Sequence, residues 1–556
     1  MNADERSVCR AVSIALLLLW SQVAISSPES QVQFAEVAVA SGIDFHHTHG
    51  GSGELFYVET MGSGGGFLDY DGDGDLDIYL VNGASLPGHQ TAEIPINRLY
   101  RNEGEGRFAD ATSVAGVGDT HYGMGCAAAD FDNDGDTDLY VTNFGPEVLY
   151  RNEGNGTFVD MTSAAGVGDS LWSTSAAWLD YDNDGWLDLY TANYIDFSIE
   201  NHQPCHQRGL HVYCDPDKYD SVPDRLYHNE GDGRFKDATA EAGLERIVPG
   251  RGLGVTCTDY DRDGDIDIYV ANDETPNLLM RNEGNGRFQE VGLFSGVSHS
   301  GSGELQSGMG VDAGDYDGDG YPDLFVTNFS YETYTLYRNL GNGFFSDVSA
   351  SAGLAEPTLL PLGFGTRFFD FDNDGDLDLF CANGHIFHNV EQLESSLTYA
   401  QKNQLLRNDG GWFADISASS GPAFEIARVS RGAAFGDYDD DGDVDILVTN
   451  NNGPAELLRN DGGNRQHWLT VRTVGTKSNR DGIGARLELW VGGHRQVREV
   501  ISGASYLSTH DLRVHFGLGA SQRVDRLDIY WPSGQVDRWE DLDADQFLVV
   551  CEGGAP

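Results

Sequence analysis

A nine-residue segment, Asp69-Tyr-Asp-Gly-Asp-Gly-Asp-Leu-Asp77, is the densest run of metal-ligating side chains in the sequence, and it recurs six more times with small changes. The other copies begin at Asp130, Asp180, Asp259, Asp315, Asp370 and Asp437. Each keeps Asp at positions 1, 3, 5 and 9 and Gly at position 6. The candidate ligands of the first copy are Asp69, Asp71, Asp73, Asp75 and Asp77, and those of the second are Asp130, Asp132, Asp134, Asp136 and Asp138. The third offers Asp180, Asp182, Asp184, Trp186 and Asp188; the fourth Asp259, Asp261, Asp263, Asp265 and Asp267. The fifth offers Asp315, Asp317, Asp319, Tyr321 and Asp323; the sixth Asp370, Asp372, Asp374, Asp376 and Asp378. The seventh has Asp437, Asp439, Asp441, Asp443 and Asp445.

Alternate acids on a tightly wound loop point inward and build an oxygen cage, which suits a hard cation that takes six to eight oxygens. Gly at position 6 permits the sharp turn. Position 7 varies between Asp75, Trp186 and Tyr321, as a position that donates only its backbone carbonyl tolerates. An EF-hand needs a Glu at position 12 and flanking helices; counting from Asp69, position 12 is Leu80, inside a strand-like run. Calcium is the expected ion, one per loop and about seven in all. Magnesium resists a full carboxylate cage because it prefers to keep its waters. The plain alternative, seven solvated acidic turns, would crowd four to six carboxylates into nine residues with nothing to offset their repulsion.

The elements that position these loops repeat with them. Each loop runs into a strand-like segment rich in aromatic and β-branched residues, such as Leu76-Asp-Ile-Tyr-Leu-Val81 or Leu139-Tyr-Val-Thr142. A second strand and turn follow, as in Leu149-Tyr-Arg-Asn-Glu-Gly-Asn-Gly156, whose Gly residues supply the positive φ that hairpins need. Then come Phe158-Val-Asp160 and a closing turn at Ala165-Gly166. The loop starts are 61, 50, 79, 56, 55 and 67 residues apart, a period that fits four-stranded propeller blades with insertions. The array is offset at its ends. It opens with the Phe strand of a unit (Phe34-Ala-Glu36) and closes with the hairpin of another (Leu457-Leu-Arg-Asn-Asp-Gly462), so the two halves can complete one blade and close a ring. The fold class expected is all-β: a seven-bladed β-propeller with calcium-binding loops over residues 32–464, and a small separate β domain over 466–552. The second carries strand-like runs at Trp468–Arg472, Ala485–Trp490, Arg498–Ile501 and Leu527–Trp531, and no acidic loop.

The composition agrees. Of 556 residues, 89 are acidic and 34 basic, a formal charge of −55, while Gly reaches 71 and Pro only 16. Seven divalent ions would cancel 14 of those negative charges and leave about −41. Nucleic acid is excluded as a partner, because phosphate binding needs a basic footprint. Arg6, Arg10 and the apolar run Ala11–Trp20 read as a signal peptide over residues 1–27, with an uncleaved anchor as the alternative. The run is short for a bilayer span, and no other segment could cross one. A secreted, extracellular or periplasmic protein and a monomer are expected. Of seven cysteines, Cys205 and Cys214 share one polar insertion (193–225) and are the disulfide candidates. Cys126, Cys257 and Cys381 read as buried thiols, Cys9 leaves with the signal segment, and Cys551 has no assignment.

Other chemistry is thin. His46, His47 and His49, or His202, His206 and His211, could chelate a transition metal, but a polar loop and a stapled loop are the plainer readings. Trp172, Trp178 and Trp186 could stack on sugars, and read more simply as core or turn residues. No nucleophile elbow, phosphate loop or zinc-protease motif occurs. A propeller enzyme would need a Lys, Arg or Tyr base in the central channel. Arg480, Arg486, Arg495 and Arg498 are expected to dock the C-terminal domain onto the acidic repeats.

The loops resemble the FG-GAP/VCBS-type repeats found in propellers, integrin α-subunits among them. A broader resemblance, to the cartilage acidic protein (ASPIC/UnbV) family, rests on Arg251-Gly-Leu-Gly254, Ala271-Asn-Asp273, Gly308-Met-Gly-Val-Asp-Ala-Gly-Asp-Tyr316, Ala382-Asn-Gly-His385 and Ser430-Arg-Gly-Ala-Ala434. In the C-terminal stretch it rests on Gly475–Arg480, Ile483–Arg486, Ser505-Tyr-Leu-Ser508, His515-Phe-Gly-Leu-Gly519 and Trp531-Pro-Ser-Gly534. It implies an extracellular calcium-binding propeller with an UnbV module and no particular activity. Vertebrate members add a calcium-binding EGF-like module that has no counterpart here, so the chain looks like the shorter bacterial members. The function expected is binding, adhesion or scaffolding toward an extracellular glycan or protein. The alternative is a calcium-dependent polysaccharide lyase or hydrolase.

Overall fold

Every acidic loop is the turn of a β-hairpin. In the computed structural model, which describes residues 32–554, the first loop joins strand Gly65–Leu68 to strand Asp77–Leu80 in antiparallel register, Leu68 opposite Asp77. The signal segment and Cys9 lie outside the described residues. Two more strands, Arg98–Asn102 and Phe108–Asp110, complete a four-stranded antiparallel sheet. The same order recurs in every repeat, from Gly123–Ala129 onward to the hairpin of Ser430–Gly436 and Asp445–Asn450, so seven such sheets lie within residues 33–461 among the described residues. The last draws its outer strand from the start of the chain: Gln33–Glu36 pairs with Glu456–Asp461, Phe34 opposite Asn460. The two half-units of the sequence therefore share one sheet.

The first strands of the sheets pack side by side in chain order, and the strand Ser430–Gly436 returns to Gly65–Leu68, closing the cycle. Two residue types staple each sheet to its neighbour. The aromatic at loop position 2 meets the outer-strand Phe of the next sheet, as in Tyr70–Phe158, Phe131–Phe235 and Phe371–Phe34, with ring centroids 5.6–6.4 Å apart around the whole cycle. Such pairs contribute about 0.5–1.5 kcal/mol each beyond area burial. The Asn that follows Arg or His in the third strand donates its side-chain amide to the position-2 carbonyl of the preceding sheet: Asn102 to Tyr438, Asn152 to Tyr70, Asn229 to Phe131, and so on through Asn460 to Phe371.

The C-terminal residues form a three-stranded sheet (Val514–Gly519, His467–Val474, Gln546–Cys551) and a four-stranded one (His494–Glu499, Arg486–Val491, Arg523–Tyr530, Val536–Asp543). The separate domain expected from sequence is in fact interlocked with the repeats. Between Glu499 and Val514 the chain leaves its own sheets and fills the centre of the ring. Ala504 N donates to Val255 O, Ser505 N to Val311 O and Thr509 N to Gly65 O. Cys126 N donates to Leu507 O, and Trp178 N to Ser502 Oγ. Thr366 N donates to Ser505 Oγ, which donates onward to Ala433 O. Every inner strand thus bonds this one segment. Small residues make room for it: a Cβ on Gly64 would lie 1.6 Å from Leu507 O. Sequence spacing alone does not reveal such an insertion, because the strands that Ser502–Thr509 bonds lie far away along the chain.

Candidate functional site

The loops wind through two left-handed residues. Position 6 is Gly with φ of 91–102° in every copy. Position 4 is also left-handed (φ 55–73°), which explains why it is Gly72, Asn133, Asn183, Gly318, Asn373 or Asp440, types that tolerate that region; Arg262 is the exception. This second constraint was present in the sequence as a Gly/Asn/Asp preference and is recognised only with the backbone in hand.

With that winding, the position-1 carboxylate of six loops accepts two backbone N–H groups of its own loop; Asp180 takes them from Asp184 and Gly185 at 3.0 Å, whereas Asp315 Oδ1 in the fifth loop is buried without a donor. Position-5 Asp accepts the N–H of position 7, as Asp73 does from Asp75. Position-9 Asp is buried and receives two, one from position 2 and one from the third-strand Asn: Tyr70 N and Asn102 N for Asp77. Position 3 differs. In five loops its Oδ1, on Asp71, Asp132, Asp261, Asp372 and Asp439, is shut off from solvent and accepts no hydrogen bond. Ligand oxygens of positions 1, 3 and 9, or 1, 3 and 5, lie within 4.8 Å of one another in the loops of Asp69, Asp130, Asp180 and Asp259. A buried carboxylate oxygen without a donor, facing two others in the loops of Asp69, Asp130 and Asp259, fits a divalent cation and fits poorly without one.

In the absence of a cation these carboxylates are costly to ionise. Burial first, and neighbouring carboxylates second, push Asp77 up to about 8, Asp180 to about 8 and Asp130 to about 7, and raise Asp138, Asp267, Asp323, Asp378 and Asp445 well above the ordinary carboxylate range. Position 7 points elsewhere: Asp136, Trp186, Asp265 and Tyr321 lie against Gly154, Gly231, Gly284 and Gly341 of the adjoining hairpin, so their side chains stay outside the cage.

All loops share one face of the ring, and the C-terminal module covers it. Arg495 donates to Asp319 O, Arg498 to Gly375 O, and Arg480 through its backbone to Asn133 Oδ1. Arg486 instead pairs with Glu488 inside the module. Arg513, which sequence reading passed over, binds Asp440 Oδ1 at 3.2 Å and Asp437 O at 2.9 Å. Glu499 accepts from Thr258 Oγ1 and from Asp259 N, and burial pushes it up to about 8.

The opposite face carries the insertion. Cys205 and Cys214 are disulfide-bonded and staple a hairpin of Cys205–Gln207 and Leu210–Val212. Beneath it lies a cavity of about 400 Å³ lined by Tyr57, Tyr194, Asp273, Glu274, Glu332 and Phe387, among others. Tyr57 and Tyr194 share a hydroxyl hydrogen bond of 2.8 Å, and Tyr194 donates to buried Asp273. The histidines of this face are used locally. Asn452 N donates to His47 Nδ1 and Gly51 N to His49 Nδ1, while the His206 and His211 rings stack. Trp172 and Trp178 are buried core residues, as are Cys126, Cys257 and Cys381. Among the described residues no helix is long and apolar enough to cross a membrane.

Residues 69–141, 130–191, 213–270, 259–326 and 315–381 match the family model described as FG-GAP-like repeat, and residues 475–556 match that described as ASPIC and UnbV. Cartilage acidic protein 1 of Mus musculus is 27% identical over 316 residues, 54% of this chain and 45% of that protein. Cartilage acidic protein 1 of Homo sapiens is also 27% identical over 316 residues, 54% of this chain and 44% of that protein. The chain thus spans about half the length of the curated relatives it matches. Among solved structures, the BP39L lectin from Burkholderia pseudomallei aligns with a TM-score of 0.42 and 11% identity, over 71% of this chain and 94% of that chain.

Proposed function

Since this chain belongs to the FG-GAP-like repeat proteins and carries an ASPIC and UnbV module at its C-terminus, we propose that it is a secreted, seven-bladed propeller whose acidic loops hold calcium and whose opposite face binds an extracellular glycan or protein. The observation that carries this reading is the donor-less, buried position-3 oxygen, repeated in five loops. Calcium, when bound, supplies the positive charge that lets these carboxylates stay ionised in a buried site. The protein's own residues do the rest. Positions 1, 3, 5 and 9 hold the ion, the position-1 carboxylate fixes the loop backbone, and the position-9 carboxylate ties the loop to the third strand. Arg495, Arg498 and Arg513 seat the C-terminal module on the same face, which supports a rigid body whose free surface is the other one.

That other face favours binding over catalysis. The centre of the ring, where an enzyme would need its base, is filled by Ser502–Thr509. The cavity under the disulfide-stapled hairpin is open to a ligand and lined by aromatic and acidic groups. An array of glycans and extracellular matrix proteins, probed in calcium and in chelator, tests the reading. Binding in calcium that disappears in chelator and is weakened by Phe387→Ala or Glu274→Gln supports it. Binding insensitive to both variants moves the ligand site elsewhere, and depolymerisation of a polysaccharide would favour the enzyme reading instead.

A further inference from the structure

The repeats are chemically uneven at one position, the residue that precedes the stapling Asn. It is Arg101, Arg151, Arg281, Arg338, Arg407 and Arg459 in six repeats and His228 in the third. In five of the six, the arginine pairs with an acid two residues on: Glu103, Glu153, Glu283, Asp409 or Asp461. Those are the same five repeats whose position-3 oxygen has no donor. The acid draws the guanidinium away and leaves the cage open. In the fifth repeat Leu340 stands where the acid would be, and Arg338 turns into the loop, 2.6 Å from Asp317 and 3.4 Å from Asp319.

His228 follows neither pattern. Although Glu230 stands two residues on, the ring turns toward the loop, its Nδ1 3.0 Å from Asp188 Oδ1 and 3.6 Å from Asp182 Oδ2. The three side chains form a compact N,O,O group within 4.8 Å, and Asp180, Asp182 and Asp184 form a second that shares Asp182. Zinc-class bonds to imidazole nitrogen and carboxylate oxygen are about 2.0–2.2 Å. Two such ligands at octahedral or tetrahedral angles sit roughly 3.0–3.5 Å apart, close to the separations observed. Calcium takes oxygens, whereas imidazole suits the borderline first-row ions.

We propose that the third loop is a mixed nitrogen–oxygen site for a zinc-class divalent ion, with His228 Nδ1, Asp182 and Asp188 as ligands, while the arginine-bearing loops remain oxygen-only. The proposal rests on the reading of the loops as cation cages. Its alternative is that His228 is a resident counter-cation, as Arg338 is in the fifth loop. The test uses the full chain saturated with calcium and titrated with zinc, with X-ray absorption at the zinc edge. The expected result is one zinc per chain that excess calcium does not displace, with an imidazole nitrogen in its shell. His228→Arg, the residue used in every other repeat and so compatible with folding, is expected to weaken zinc at least as much as loss of an outer-shell partner does, about tenfold to a hundredfold. A His46→Gln/His49→Gln variant is expected to leave zinc unchanged. Zinc that binds the His228→Arg protein with unchanged affinity, an oxygen-only shell, or no zinc at all on a chain that holds calcium overturns this assignment alone. A chain that takes up neither metal overturns the cation-cage reading beneath it.

Discussion

At the scale of single residues, the fate of each cage is decided by one or two neighbours. Arg338 enters its loop in the one repeat where Leu340 stands in place of the pairing acid of the other arginine-bearing repeats. Leu340→Glu restores the Arg-x-acid pattern of the other repeats and is expected to free Asp317 and raise calcium affinity at that loop about tenfold, the worth of one charge-assisted hydrogen bond. Calorimetric titration checks it, and an unchanged isotherm would refute the competition. A second residue-scale effect lies on the opposite face. Phe387 N donates to His385 Nδ1, and the ring is buried beside Arg431, so burial pushes its pKa down to about 3. The folded value lies below the unfolded one of about 6.5. Its stabilising contribution is therefore complete above that pH and is lost as pH falls toward 3, by about 1.4 kcal/mol per unit. His385→Asn keeps an acceptor for Phe387 N and removes the titration. Between pH 6.5 and 5 it is expected to lose about 2 kcal/mol less than the parent in denaturant unfolding at saturating calcium. Equal losses would show that this histidine is not held neutral.

At the scale of elements, the third-strand Asn is the part that most directly joins one sheet to the next. Asn282 donates to Tyr181 O and Ile266 O, both buried, and accepts from Gly284 N in a partly buried bond. Asn282→Leu leaves two carbonyls and one N–H unpaired and is expected to cost about 2–4 kcal/mol, read from chemical denaturation; a loss under about 1 kcal/mol would mean water replaces those bonds. The same residue marks the limit of what the chain discloses by itself. The loops, their strands, the offset ends and the Cys205–Cys214 bond are legible because side-chain spacing dictates them locally. Position 2 aromatics and the Asn are visible as repeats, but their partners sit in the neighbouring sheet, more than 80 residues away for Asn152 and Tyr70. The role of His228 was hidden for the same reason: it becomes a ligand candidate only when the third strand is laid beside the loop, some 40 residues upstream.

At the scale of the molecule, the C-terminal module is a keystone as well as a cover. Three non-glycine residues of its central segment, Ala504, Ser505 and Leu507, hold left-handed backbone (φ 82°, 62° and 55°), at a cost of about 1–3 kcal/mol each that the surrounding strands must offset. Ser505→Val adds β-branching at positive φ and removes two hydroxyl hydrogen bonds. It is expected to destabilise the whole protein by about 3 kcal/mol, and a neutral result would show that the segment is not gripped. Removing residues 466–556 is expected to leave the repeats unable to form a protease-resistant core, since each inner strand would lose its partner at the axis. The most direct test of the central claim is metal content by mass spectrometry together with thermal unfolding in calcium and in chelator. A loop loaded at a hundred times its dissociation constant adds about 2.7 kcal/mol. Several bound calcium ions and a melting point lowered by more than about 10 °C in chelator are therefore expected. Near-zero metal with an unchanged melting point would contradict the account, because the buried carboxylates would then be stable with nothing between them.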